Sequence, residues 1–268
     1  MFKFDPNQAY MMPGHFGPTP IGKGSGYYHD VTSITVSYLT DRDKLASYLP
    51  EPFEVGEDPI VSVYYGMNKQ VDWLAGHSYN MIAVNASAAF NGEVDHLTGF
   101  YALVWWENLT DAIISGREVL GMPKVYADIP DHSIIEGKWR AVASHFGHTI
   151  VELMVDNLIP VTEEQIKQGV KDMEGKDHIM GWRYIPKSNH VGADISQPVL
   201  FPLDRNIKKV WVGQGKVVWH HLTWEQNPSQ YHIVNALADL PILEYLPALV
   251  TKESSNLLIP DKPRRVLR

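Results

Sequence analysis

Apolar and polar positions alternate from Thr32 to Thr40 in a run rich in β-branched residues, as expected of a half-buried strand. A short helix is predicted next. Asp41 is placed to cap it, Leu45 and Leu49 fall on one face, and Pro50 stops it. Strand-like runs follow at Ile60 to Tyr65, Met81 to Ala89 and Leu97 to Val104, with a hairpin signal at Phe90-Asn91-Gly92. Asn108 or Thr110 can cap a helix running through Ile113, Ile114 and Leu120. Arg117 suits its C-terminal dipole, Gly121 can take positive φ beyond it, and Pro123 forbids continuation. Lys124 then opens another strand.

Further strands are predicted at Trp139 to Phe146, Thr149 to Leu153, Val199 to Leu203 and Lys208 to Trp219. A polar helix is predicted from Thr162 to Glu174, and a second helix, Ile233 to Leu237, before Asp239-Leu240-Pro241. Residues 1 to 30, rich in Gly and Pro, read as an irregular arm over the domain or a neighbouring subunit. Without repeat or linker, the pattern describes one α+β domain, residues 1 to 268, on a large curved antiparallel sheet.

Composition narrows the chemistry. The 268 residues include 44% hydrophobic ones, enough for a sizeable core. A net charge of -8 with no basic run beyond Pro263-Arg264-Arg265 argues against nucleic acid. No apolar stretch has signal-peptide or membrane-span length, so a cytoplasmic protein is expected, with no membrane partner. The absence of cysteine excludes disulfides, thiolate nucleophiles and Cys-ligated metal.

Several motifs carry little. Gly17 to Lys23 fits most of a phosphate loop, but Gly24 stands where Ser or Thr should hold magnesium and two prolines remove donors. Twelve histidines form no metal-ligand pattern: His220 and His221 would point to opposite faces of a strand, and His145 and His148 read as loop residues, so no metal site is assigned. No Gly-x-Ser-x-Gly elbow is present. The glycosylation pattern at Asn85 and Asn108 has no meaning without a secretion signal.

Lys124 stands out. It follows a proline where an apolar helix gives way to a strand, so its ammonium can be held inside the sheet. Burial disfavours the charged form and can lower a lysine pKa by about 3 to 5 units. That matters because an unperturbed lysine is free amine only about once in 2,500 molecules at pH 7. A free amine adds to a ketone and yields an iminium, an electron sink that needs no cofactor.

The segment Ser115-Gly-Arg-Glu-Val-Leu-Gly-Met-Pro-Lys124 resembles the signature of the acetoacetate decarboxylase family. Tyr38 to Leu45 with Leu49-Pro-Glu-Pro52, and Leu237-Ala-Asp-Leu-Pro-Ile242, resemble two further landmarks of that family. The resemblance implies an acetoacetate decarboxylase-like fold, a curved antiparallel sheet or cone-like barrel with a few short helices. It implies Lys124 as the Schiff-base residue, with Arg117 and Glu118 as catalytic candidates and Tyr64 and Met122 as substrate-binding ones. It also implies a small-molecule keto acid as partner, no cofactor and a homo-oligomer. Acetoacetate decarboxylase is itself the usual example of a lysine activated by desolvation or a neighbouring cation, so that effect is no independent finding.

The sequence departs from the family in specific places. Val125 stands where a second lysine is expected, which leaves desolvation by neighbours such as Met122 and Val125 to act alone. No arginine precedes Arg42, Tyr64 replaces one pocket glutamate, and no acid lies between Asp72 and Glu93. These changes point to a keto acid larger or less polar than acetoacetate, with Trp73, Tyr79, Trp105 and Trp106 available to line its pocket. Decarboxylation of a β-keto acid is the first reading. Pyruvate-type aldol condensation with dehydration, or hydratase chemistry, through the same lysine is the second. A non-catalytic small-molecule binding protein is the reading from another class.

Overall fold

A computed structural model describes residues 1–18, 25–189, 191–201, 203–257 and 265–268. The phosphate-loop-like stretch and the basic tail lie largely outside them. Fifteen strands are seen in one sheet: β1 (Tyr27–Leu39), β2 (Phe53–Val55), β3 (Ile60–Val71), β4 (Tyr79–Asn91), β5 (His96–Glu107), β6 (Lys124–Tyr126), β7 (Ser133–Ile135), β8 (Lys138–His145), β9 (His148–Pro160), β10 (His178–Pro186), β11 (Ala193–Phe201), β12 (Asp204–Trp219), β13 (Glu244–Tyr245), β14 (Ala248–Asn256) and β15 (Arg265–Val266). Four short α-helices accompany it: α1 (Arg42–Ala46), α2 (Thr110–Ser115), α3 (Glu163–Asp172) and α4 (Tyr231–Ala238).

The path through the sheet is β15-β11-β10-β5-β4-β3-β1-β14-β12-β9-β8-β7, with β2, β6 and β13 attached beside β4, β5 and β1. The α+β class and the large sheet with few short helices are as expected. Two details are corrected. Among the described residues the sheet is open, ending at β15 and β7, and does not close into a cone-like barrel. It is also mixed, because β5 runs parallel to both β6 and β10. A parallel neighbour needs a crossover, and the helix between β5 and β6 provides one.

Local chemistry explains the elements. Asp41 Oδ1 accepts from the Lys44 amide at 2.8 Å, as its capping role requires. Thr162 and Gln165 form a capping box on α3. The expected side-chain cap on α2 is absent. Leu109 occupies the cap position, while Asn108 accepts from the Asn80 amide and donates to the Ile129 carbonyl, tying β4 to the loop after β6. The expected arm shortens, since residues 27–30 belong to β1.

Register sets the two faces. Val250, Ile34, Tyr65, Ile82, Trp106 and Val125 form one row across β14, β1, β3, β4, β5 and β6. All of these belong to or pack against the main apolar cluster, which Val234 and Leu237 of α4 cover. Fully burying an Ile or Leu there contributes about 1.5–3 kcal/mol. The adjacent rows, on the opposite face, carry the chemistry.

Candidate active site

Because directly paired residues share a face, the row Thr35, Tyr64, Ala83, Trp105, Lys124 lines the second face. The neighbouring row on that face is Thr251, Ser33, Gly66, Met81, Glu107. Lys124, the first residue of β6, and Glu107, the last of β5, are thus brought together by one parallel pairing.

Lys124 is 4% exposed and Glu107 is fully buried. The lysine Nζ lies 2.8 Å from Glu107 Oε1, donates to the Ala112 carbonyl at 3.3 Å, and sits 5.7 Å from the centre of the Trp105 ring. The carboxylate contact is an ion pair without hydrogen-bond alignment, and Oε2 has no partner among the described residues. Burial pushes the Glu107 carboxyl above its ordinary range, partly offset by the Lys124 charge. Removing two ions from water costs several kcal/mol each, so this pair is a burden that the surrounding fold sustains.

The motif before Lys124 shapes its berth. After α2 the chain continues as a π-helical turn, Gly116–Leu120, ending at Gly121 in the left-handed region with φ 75°. Such wide turns recur at functional sites. The lysine arm runs over Gly116, where an added Cβ would overlap Cδ and stand 2.9 Å from Nζ. Glycine is required there because only a hydrogen leaves room for the arm.

The other sequence candidates fall in different places. Arg117 does not reach the amine; its Nη1 donates to the Lys124 carbonyl at 2.9 Å, fixing the start of β6. Glu118 is half-buried and lines a surface hollow with Tyr10, Met11, Val119 and Arg183, where the N-terminal segment meets the π turn. Met122 is buried in the apolar cluster of Trp105, Leu120 and Phe201, with Tyr64 packed against it. Val125 points to the opposite face and packs on the main core, so it does not desolvate the amine as expected. A second lysine at that position would project into the main core. Another hollow, at Trp139, Leu158 and Trp211, lies at the β7 edge of the sheet, away from this face.

Tyr64 lies near a second ion pair, whose acid is buried and whose arginine is exposed. Arg205 of β12 grips Glu253 of β14: Nε reaches Oε1 at 3.2 Å and Oε2 at 3.1 Å, and Nη2 reaches Oε2 at 2.6 Å. Ser33 and Thr251 share a 2.6 Å hydroxyl contact alongside. The Tyr64 phenol is raised by burial first and then by the Glu253 charge, while Arg205 and Ser33 oppose the shift. Tyr79, on the same face, is raised by burial and by Tyr28 and Glu107. Among the described residues no cluster of His, Asp or Glu is suited to a metal ion. His145 instead bonds Asn227, and His220 and His221 pair with Glu152 and Asp239.

Glu107, Glu253 and Arg205 were not singled out from sequence. Glu107 left one sign: an acid directly after the apolar run Leu103-Val104-Trp105-Trp106, two residues from Trp105 and therefore on its face. Arg205 and Glu253 are distant in sequence, and nothing local marks them.

The second face thus presents a buried lysine at a strand start, set against a buried carboxylate beside the helix end at Gly116–Gly121. The family model described as "Acetoacetate decarboxylase (ADC)" matches residues 11–257, and the chain belongs to this family of lyases. An acetoacetate decarboxylase of Burkholderia cenocepacia is 25% identical over 250 residues, 90% of this chain and 89% of the relative. Among solved structures, the acetoacetate decarboxylase of Legionella pneumophila superposes with a TM-score of 0.73 at 16% identity, covering 94% of this chain and 92% of the other. The enduracididine biosynthesis enzyme MppR, complexed with pyruvate, superposes with a TM-score of 0.69 at 14% identity, covering 99% of each chain. These structural likenesses are to the fold. No helix among the described residues is long and apolar enough to cross a membrane.

Proposed function

We propose that Lys124 forms a Schiff base with a keto acid and that the chain decarboxylates a β-keto acid larger than acetoacetate. The observation that carries this reading is the fully enclosed Lys124–Glu107 pair at 2.8 Å. In such surroundings an ion pair has little advantage over a neutral amine and carboxylic acid, because low dielectric penalises both charges. Glu107 therefore takes the proton that Nζ must lose before attack.

The steps then balance. Nζ bonds to the ketone carbon, the carbonyl electrons move to oxygen, and that oxygen leaves as water with one proton from Nζ and one from Glu107. The iminium draws the electron pair of the bond to the carboxylate, carbon dioxide departs, and an enamine forms. Glu107, left as carboxylate by the dehydration and reprotonated from solvent water, gives a proton to the enamine carbon, and water hydrolyses the imine to ketone and free lysine, its spare proton returning to Glu107. Arg117 positions the lysine through its carbonyl, and Tyr64 and Met122 bound the substrate volume.

A second reading, aldol condensation of pyruvate through the same imine, is favoured by Tyr64 in place of a family glutamate and by the MppR complex with pyruvate. Borohydride reduction in the presence of a keto acid should add a stable mass to the Lys124 peptide and none to Lys124→Ala. A wild-type peptide left unmodified across a keto-acid panel overturns the proposal in favour of a binding protein. Carbon dioxide release, against a new conjugated absorbance, separates the two reactions.

A further inference from the structure

Three groups meet the Lys124 nitrogen, and the lysine chemistry engages one of them. Glu107 Oε1 stands 2.8 Å away and the Ala112 carbonyl 3.3 Å, while Nζ lies over the ring of Trp105, 5.7 Å from its centre. Trp105 is held at both ends. Its backbone amide donates to the Pro123 carbonyl at 3.0 Å in the strand pairing that sets it opposite Lys124, and its indole N–H donates to Asn85 Oδ1 at 2.9 Å. The residue is 5% exposed, and Phe201 meets its ring edge-on at 5.8 Å between centres. The ring therefore faces the nitrogen whatever the nitrogen carries.

An ammonium offers three N–H donors. The iminium formed at the same nitrogen keeps one, so its contacts with the two oxygen acceptors shrink as the reaction proceeds. Dehydration also leaves Glu107 as a carboxylate beside that last N–H. If the N–H bond breaks and the proton bonds to Glu107, a neutral imine and a carboxylic acid result, and the electron sink is lost. Charge on nitrogen then needs a partner that takes no hydrogen. An aromatic face is one, because its quadrupole attracts the cation itself, and more strongly where water is excluded.

We propose that Trp105 is a further catalytic residue, whose ring face holds the Schiff base in its protonated, electron-withdrawing form against the pull of Glu107. This role rests on Lys124 being the imine-forming residue. Among the described residues Glu107 of β5 is the charged group at the nitrogen. Arg117 of the π turn stops at the Lys124 carbonyl, α2 presents the Ala112 carbonyl, and Tyr79 of β4 lies two residues from Met81, the strand partner of Glu107, on the same face.

The test is the pH dependence of trapping by cyanoborohydride, which reduces an iminium and spares a neutral imine. Pyruvate and 4-phenylbutan-2-one serve as carbonyl probes at saturating concentration, where the alkaline limb of the profile marks loss of the iminium proton. Trp105→Leu should move that limb to lower pH by about 0.4–1.5 pH units, and Trp105→Phe by less. The direction separates this role from packing alone, because a leucine that merely admitted water would ease solvation of the cation and leave the limb in place or raise it. Melting curves verify that each variant is folded. Wild-type sequence labelled with 5-fluorotryptophan, which draws electrons from the ring and barely alters its shape, should shift the limb the same way by a smaller step, and it reads the effect even if neither variant folds. An unmoved or raised limb in folded Trp105→Leu, or in the fluorinated protein, overturns the proposal while Lys124 chemistry stands. No trapping by wild type with either probe or with any keto acid removes the Lys124 reading and this inference together.

Discussion

Adjacent rows of one sheet have opposite characters. The row Ile34, Tyr65, Ile82, Trp106 is packed into the apolar core, while the next, Ser33, Gly66, Met81, Glu107, ends in a buried acid against a buried lysine. One face packs into the main core; the other sets smaller apolar clusters around charges that on their own oppose folding. The comparison shows that the fold can carry an amine away from water because the same strands are anchored from behind. Stability and chemistry are therefore separable by mutating one face at a time.

The sharpest separation concerns Glu107. Glu107→Gln should form the imine more slowly and turn over about 10²–10⁴-fold more slowly, since the proton carrier for both stages is lost. Borohydride trapping alongside steady-state rates checks this, and an unchanged rate would remove Glu107 from the chemistry. On the apolar face, Ile82→Ala should cost about 2–5 kcal/mol in a denaturant titration with trapping per folded molecule preserved.

Gly116→Ala straddles the two faces' concerns. Alanine is the better helix former by about 1 kcal/mol. Even so, its methyl would collide with the lysine arm, so a net loss of about 1–3 kcal/mol is expected, with trapping reduced beyond that of the unfolded fraction. Comparing melts with trapping yields resolves the two contributions.

The smallest effect is on pH dependence. Glu107 is raised in the folded state, so just above its ordinary range the folded protein holds a proton that the unfolded chain has released. Its contribution to stability is therefore present at low pH and lost as pH rises through that window. Relative to Glu107→Gln, wild type should lose melting temperature as pH rises above the ordinary glutamate value of about 4.3. A parallel pair of melting curves would contradict the raised value.

Much of this was legible in the chain. The Asp41 cap, the Gly121 terminus and the strand runs of β3, β4 and β5 depend on local signals, and they stand where the pattern placed them. Strands β10 and β14 were missed, because their residues lack clean alternation: β14 mixes Thr251, Glu253 and Ser254 into its buried positions. The lysine was legible because its Gly-Arg-Glu approach is contiguous. Its partner was not, because only the parallel pairing of β5 with β6 makes neighbours of Glu107 and Lys124, and no local pattern encodes that pairing. The same reasoning hid Arg205 and Glu253, which a long-range antiparallel register unites.

The wide turn at Gly116–Leu120 has a consequence for how this segment can change over evolution. Each residue of a regular helix advances the chain by about 100°. Losing one residue from that turn would relax it to ordinary winding and swing everything downstream around the axis, so that the amine would face away from its acid. Outside Gly116 and Arg117 substitutions can therefore drift here, whereas insertions and deletions cannot, and the spacing between the helix and Lys124 is a fixed length that relatives sharing the chemistry must keep.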